Sequence, residues 1–444
     1  MTRFRTPLRV GLLGAGVLGL PLLIAAVVLR GRGYSPVLDL AMTEFRVRDV
    51  GGRHTPLIGL PGRIGRFPEQ GSHPGPLSFY LIAPVYRLLG ASAWAMLVGA
   101  IAVNVAALGT AVGLAFRRGG WWLAGAVSVW LLVAMRGYGV GVLTQPWNPY
   151  LPLVAWTVVV LCAWLVVEGD SMPLVPMVAA GSLCAQTHIP YLLLCVGLFA
   201  VVSAVVLVRW RRGSADARRW MVWSVALGVL LWLPPLLDQA ARRPGNIRML
   251  QQHFMNPSEE PIGFGRGVAV LLRHLDVAQV VFGGGGSGGF VDAAYQPDRS
   301  VVPGAVLLVL WLASVAVAWR LRHRTLLWLH AVLAATLLLE CLSMVRIFGK
   351  VWYYLTLWAW SVTVLMAIAT AATFVVALRR RVGDRARPVL WRSSVAAGAV
   401  LAAFSMVSLV ADAAVAQPPE PRLSAPLGAL IEPTVTAVRD GVGA

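Results

Sequence analysis

Lysine is almost missing from this sequence. Of 38 basic residues among 444, only Lys350 is a lysine and the rest are arginine. Charge of either sign is scarce: charged residues make up 13%, against about 25% in an ordinary soluble domain. Hydrophobic residues reach 58% and the mean hydropathy is +0.73, which leaves no room for a large soluble domain. Cysteine is sparse too. Cys162, Cys184, Cys195 and Cys341 lie in or beside apolar runs without metal-ligand spacing. They therefore suggest neither a disulfide framework nor a zinc site, and read as packing residues. The run Gly283-Gly-Gly-Gly-Ser287-Gly-Gly289 lacks the Lys-Ser/Thr of a phosphate-cradling loop, so it reads as a hinge or lid. No cofactor and no metal site is expected, and no internal repeat is visible.

What the chain has instead is long apolar runs. A helix needs roughly 20 mostly apolar residues to cross about 30 Å of hydrocarbon. Such runs predict an all-α membrane protein with about eleven transmembrane helices, over 10–29, 91–115, 121–135, 149–167, 172–188, 190–208, 220–237, 302–319, 325–343, 351–378 and 393–414. The first run follows a basic N-terminus but has no small-x-small cleavage site after it, so it reads as an uncleaved helix. The transmembrane domain then covers 1–414, and the proline-bearing tail 415–444 reads as a loosely ordered extension. The stretch Pro76 to Leu89 is apolar but short, which predicts an interfacial helix.

The net charge of +19 fits topology better than nucleic-acid binding. Arginines cluster in alternate short loops, at Arg117 and Arg118, Arg209 to Arg219, Arg320 to Arg324 and Arg379 to Arg392. Short basic loops face the cytoplasm. The N-terminus is then cytoplasmic and the C-terminus extracytoplasmic, in a cell membrane. The long segments 30–90 and 238–301 face outward with the tail, and 14 of the 19 acidic residues fall on that side.

The first outer segment carries the most chemistry. It reads Tyr34-Ser-Pro-Val-Leu-Asp39-Leu-Ala-Met-Thr43-Glu44-Phe-Arg46-Val-Arg48. On a helix, Asp39, Thr43 and Arg46 share a face and Glu44 pairs with Arg48. An isolated carboxylate beside a membrane span is costly unless paired or functional. The bland reading of Asp39 is a helix-start residue complementing the dipole beside an arginine. Further on comes Gly71-Ser-His73-Pro74-Gly75-Pro76-Leu77-Ser-Phe-Tyr80, then a short apolar helix ending in Gly90.

An acidic motif after the first span, followed by His-Pro-(Gly)-Pro-Leu-x-x-Tyr, resembles the first outer loop of the GT-C integral membrane glycosyltransferases. The pattern is nearest the protein O-mannosyltransferase and lipid A aminoarabinose transferase group. The resemblance covers about residues 30–90, with the multi-helix layout more loosely. It implies an extracytoplasmic active site, a polyprenyl-phosphate-linked sugar donor and inverting transfer to an extracytoplasmic glycan, lipid or protein. It also implies Asp39 as catalytic carboxylate and His73 as a polar group near the donor phosphate. Glu44 is the second catalytic candidate, although in the family the acidic pair is adjacent, whereas Asp39 and Glu44 are five apart. Where the family often has a second acidic residue after the third span, this chain has Trp147-Asn148-Pro149, and Asn148 cannot act as a base at neutral pH.

A leaving phosphate needs cations. Arg346 and Lys350, with Tyr353 beyond them, stand before a span in Met344-Val-Arg346-Ile-Phe-Gly-Lys350-Val-Trp-Tyr353-Tyr354. Snorkelling to headgroups beside an aromatic belt is the alternative. Trp147 and Asn148 precede one span, and His188 and Tyr191 flank a polar break between two others. Polar groups at that depth line a cavity, which marks them as candidates for sugar or acceptor binding. For His188 a purely structural role stands beside that one, as does interface placement for Trp147. The competing function is a transporter or flippase of a lipid-linked substrate. It would show inverted repeats and paired midplane charges, and the nearest feature in the sequence is Glu340. A non-catalytic envelope scaffold would need no convergent acidic, His and Arg groups.

Overall fold

A computed structural model describes residues 2–66, 69–283 and 299–441. The glycine-rich run beyond Gly283 lies outside the described residues. Helix α1 (Thr2–Arg30) leads into a first connection holding α2 (Leu38–Asp49), the antiparallel hairpin β1 (Pro61–Arg66) and β2 (Glu69–Ser72), and α3 (Leu77–Leu88). Then follow α4 (Ala93–Tyr138), the single turn α5 (Val140–Leu143), α6 (Pro152–Glu168), α7 (Leu174–Thr187), α8 (Pro190–Arg211) and α9 (Ala215–Ala241). A second connection carries α10 (Asn246–Met255), α11 (Gly263–His274) and α12 (Val277–Phe282). The chain closes with α13 (Val302–Arg320), α14 (Arg324–Val345), α15 (Ala359–Arg381), α16 (Ala386–Ala414) and α17 (Pro421–Arg439).

Eight of the described helices are long and apolar enough to cross a membrane: α1, α4, α8, α9, α13, α14, α15 and α16. The chain is a multi-pass helical membrane protein. Each of the eleven expected spans corresponds to helix, but eleven full-length crossings are not found. The expected spans 91–115 and 121–135 fall on α4, a helix broken by non-helical backbone at Gly119 and Gly120. Helices α6 and α7 have only 17 and 14 residues, so α6 is about 25 Å long, short of the roughly 30 Å of hydrocarbon. The reason is location. Every residue of α6 from Pro152 to Val167 is buried; a helix apolar all round and enclosed by protein need not match the lipid.

Four other differences concern the segments outside the spans. The all-α expectation meets a small hairpin, in a stretch where Pro61, Gly62, Gly65 and Gly71 disfavour helix. The interfacial segment is α3, but Leu77, Phe79, Ile82 and Tyr86 are buried, because it packs on α4 and α7 rather than lying on lipid alone. The span expected from 351 starts at Ala359. Before it, Tyr353–Leu355 form a 3-10 turn, held where Thr356 meets the buried His274 of α11. The tail is not merely a loose extension, since it contains the 19-residue α17.

The bundle has two distinct ends. At one, both long connections meet: Asn246 of α10 holds Ser72, and the Phe348 stretch pairs with Pro261. At the other, Arg117 bonds Asp170, Arg118 lies 3.2 Å from Glu168, and Arg209 donates to the carbonyls of Val166 and Val167. The arginine-free acidic loop at 168–170 thus sits among the basic loops.

Helices α1 and α4 approach backbone to backbone. A Cβ on Gly109 would lie 2.9 Å from the Gly11 carbonyl oxygen and from the Ala15 Cβ. Small residues at such a seam are what lets apolar helices associate in lipid. Gly109→Leu should therefore lower the unfolding temperature in detergent, by overpacking of about 1–3 kcal/mol. Gly125→Leu should not, since a Cβ there meets nothing within 4 Å. Equal melting of both variants and the parent would refute the close seam.

Candidate active site

Asp39 is the second residue of α2, directly after Leu38, whose φ is +53°. That left-handed conformation costs a non-glycine residue about 1–2 kcal/mol, and such strain gathers at functional sites. The half-buried Asp39 carboxylate accepts one hydrogen bond, from Trp147 Nε1 at 2.9 Å, and forms no salt bridge among the described residues. The bland expectation of an arginine partner is not met. Thr43 donates to the Asp39 carbonyl at 2.7 Å, which fixes the first turn.

Glu44 is placed differently. One of its oxygens lies 2.7 Å from Arg48 and accepts from the Tyr86 hydroxyl at 2.8 Å. Arg48 also donates to the Tyr86 oxygen at 2.9 Å. This closed triangle ties α2 to α3. The two carboxylates are therefore not equivalent: one is locked in structure and the other is presented.

From Asp39 a series of aromatic rings leads to the cations. Trp147 stands edge-on to Tyr150 at 4.7 Å and to Tyr354 at 4.9 Å between ring centroids. The Tyr150 and Tyr353 hydroxyls are 2.5 Å apart. Tyr354 stacks on Trp352 at 6.1 Å. Over Trp352 sit Lys350 Nζ at 4.1 Å and Arg63 Cζ at 5.6 Å. The charges of Asp39 and Arg63 both act on Tyr354. Arg346, by contrast, donates to the Phe254 carbonyl at 2.9 Å and lies over Phe348. It faces α10 rather than the Trp352 stack.

His73 joins the remaining pieces. Its Nδ1 accepts from the Ile189 backbone N–H at 3.2 Å. A neutral ring then carries its proton on Nε2 and can only donate there. The group 2.7 Å from Nε2 is the Asn148 amide, so the amide oxygen must face the ring. That orientation also gives the buried Asn148 oxygen a hydrogen-bond partner. Burial pushes the His73 pKa down to about 4, so the ring is neutral at pH 7. Next to it, the Gly75 N–H donates to the Gln186 carbonyl at 3.1 Å. A Cβ on Gly75 would come 2.3 Å from the Gln186 side-chain oxygen, so only glycine fits.

The fold thus brings Asp39, Trp147, Tyr353 and Lys350 into one neighbourhood, and His73, Asn148 and His188 into another beside it. The His73 and His188 rings are 5.2 Å apart. Tyr191 lies deeper, fully buried against Trp156 and His188. Sequence reasoning missed Arg63, Tyr150, Tyr354, Asn246 and His274. Asn246 accepts from Ser72 N–H at 2.8 Å and donates back to the Ser72 carbonyl at 3.0 Å. His274 donates from Nδ1 to the Val270 carbonyl at 2.8 Å and meets Thr356 at 2.9 Å. Tyr354 was signalled by its run with Tyr353; Arg63 had no signal, because the hairpin that aims it was unseen. Among the described residues no three His, Cys, Asp or Glu side chains gather as a metal site.

Burial depresses both His73 and His274 to about 4, below the ordinary 6.5. The unfolded chain takes up protons between those values that the native state refuses. The stability they contribute is complete above about pH 6.5 and is lost as pH falls toward 4. The melting temperature in detergent should accordingly drop between pH 7 and pH 5, and His73→Gln should make that drop shallower. An unchanged slope in the variant would contradict a neutral, buried His73.

Comparisons with known proteins place the chain as follows. No protein-family model matches it, and no curated protein matches its sequence. Among solved structures it is similar to ArnT from Cupriavidus metallidurans, crystallised bound to undecaprenyl phosphate. The two are 13% identical, with a TM-score of 0.49, over 89% of this chain and 75% of that one.

Proposed function

We propose that this chain is a membrane glycosyltransferase that moves a sugar from a polyprenyl-phosphate donor to an extracytoplasmic acceptor with inversion. The observation that carries this reading is the Asp39 carboxylate. It stands on α2, in the connection that follows the first membrane helix, with one hydrogen bond and no salt bridge among the described residues, at one end of an aromatic path whose other end holds Lys350 and Arg63.

The chemistry assigns roles accordingly. The acceptor hydroxyl oxygen attacks the anomeric carbon as the bond from that carbon to the phosphate oxygen breaks. Asp39 takes the hydroxyl proton as general base. Polyprenyl phosphate leaves with added negative charge, which Lys350 and Arg63 stabilise with the Tyr353 hydroxyl as a donor, while Arg346, turned to α10, takes no part. Trp147 offers a ring face to the sugar. Asn148, His188 and Tyr191 shape the polar floor, and neutral His73 holds that floor in place rather than supplying charge. Glu44 supports α2. The acceptor is a cell-envelope glycan, lipid or protein.

A transporter of a lipid-linked substrate is favoured by one observation. Glu340 of α14 is fully buried and neither of its oxygens has a hydrogen-bond partner among the described residues, and an intramembrane carboxylate of that kind marks ion pathways. Purified protein given labelled polyprenyl-phosphate sugars separates the two readings, since only the transferase releases polyprenyl phosphate.

In that assay Asp39→Asn should lose about 10²–10⁴-fold, the usual contribution of a positioned base. Glu44→Gln should lose less. A dead Glu44→Gln beside an active Asp39→Asn would reverse the assignment, and two active variants would remove the reading's support.

The site end must also face outward. Reporter fusions at Ala444 should be active only when the reporter works outside the cytoplasm, as the loop arginines require. Cytoplasmic activity there would put the site on the wrong face for an extracytoplasmic acceptor.

A further inference from the structure

The described residues leave most of α17 uncovered. Of its 19 residues, Ser424 alone is buried. Leu423, Leu427, Leu430, Ile431 and Val438 are exposed, Val438 at 72%. Their spacing of four, seven, eight and fifteen residues from Leu423 lines them along one face, while Glu432, Thr436 and Arg439 fall on the other. Pro426 and Pro433 lie inside the helix. A helix of this length with two internal prolines and one anchored turn is not stable in water by itself. A surface outside the chain must cover its apolar face.

The anchors of α17 say which surface that is. Ser424 Oγ accepts from the Ser35 N–H at 2.9 Å, and Gly428 also lies against Ser35. Ser35 follows the end of α1 at Arg30 within five residues, and residues 415–420 join α17 to the end of α16 at Ala414. Helices α1 and α16 pack on one another. Both present apolar side chains outward, Leu12 and Val27 on one, Val400 and Val407 on the other. The ends of membrane-crossing helices mark the membrane boundary, so a helix tied to both lies at that boundary. We infer that α17 is an amphipathic helix docked on the lipid surface, with its apolar face in the boundary between headgroups and acyl chains.

Docking there has a consequence for the site. The strap 415–420 that leads into α17 buries Ala416, Pro418 and Pro419. It ends at Glu420, whose charge reaches Tyr34, Tyr150 and Tyr353. The lipid-held helix therefore keeps the strap against the aromatic set. This inference does not depend on glycosyl transfer, and its test does not measure it.

The test uses the full chain in nanodiscs of phosphatidylcholine and phosphatidylglycerol, in a Cys341→Ser background. Nitroxide labels are attached after Leu427→Cys, Leu430→Cys, Ile431→Cys, Glu432→Cys or Thr436→Cys, one at a time. The expected result is high collision with oxygen and low collision with a water-soluble nickel chelate at Leu427, Leu430 and Ile431. Glu432 and Thr436 should show the reverse. Nickel access at every position would overturn the inference. So would spin–spin broadening at Leu430, which would mean that a second copy covers the face. As an independent check, Leu427→Glu with Leu430→Glu should speed tryptic cleavage after Arg422 without lowering the melting temperature of the bundle. Cleavage at the parent rate would also overturn it.

Discussion

The imidazole of His73 joins three parts of the chain that lie far apart in sequence. One nitrogen takes the backbone proton of Ile189, at the start of α8, and the other gives its proton to Asn148, ahead of α6. The Asn148 bond is buried and the Ile189 bond partly so; losing the buried one strands a polar group at a cost of about 1–3 kcal/mol. The first connection is thereby fixed over the short central helices. Trp147, the neighbour of Asn148, is fixed with it, and Trp147 is the group that holds Asp39. Placement of the carboxylate thus rests on a neutral histidine that does not touch it.

Much of this was legible in the sequence, and for identifiable reasons. Apolar runs located the helices because lipid demands such runs. The i,i+4 spacing of Glu44 and Arg48 foretold their pairing, but spacing alone left Asp39 open to an arginine partner that the fold does not supply among the described residues. The proximity of His73 to Asn148 was not legible, since it joins residues 75 apart through the fold of two connections. Nor was the length of α6: a fully apolar run looks the same whether lipid or protein surrounds it. Arg63 was hidden because a glycine-rich hairpin has weak local preferences and gains its shape from Asn246, 174 residues away from Ser72.

Aromatic residues do two jobs at the site end. Trp352 receives two cations on its faces, which holds Lys350 and Arg63 near one another despite their like charge. Trp147 uses its indole N–H on a carboxylate and meets two tyrosine rings at steep angles. The same rings thus supply packing, orientation and charge placement where few charged partners are available.

The pairing of Arg117 and Arg118 with Asp170 and Glu168 bears on how the chain is made. Asp170 lies 53 residues after Arg117, so during synthesis the arginines emerge well before their partners. At that stage they are unpaired, the condition under which loop arginines orient a nascent helix. Once the bundle closes, the acidic loop cancels them. A charge map of the finished protein at this end therefore understates the positive charge that these arginines carry in the emerging chain, before Asp170 and Glu168 pair with them.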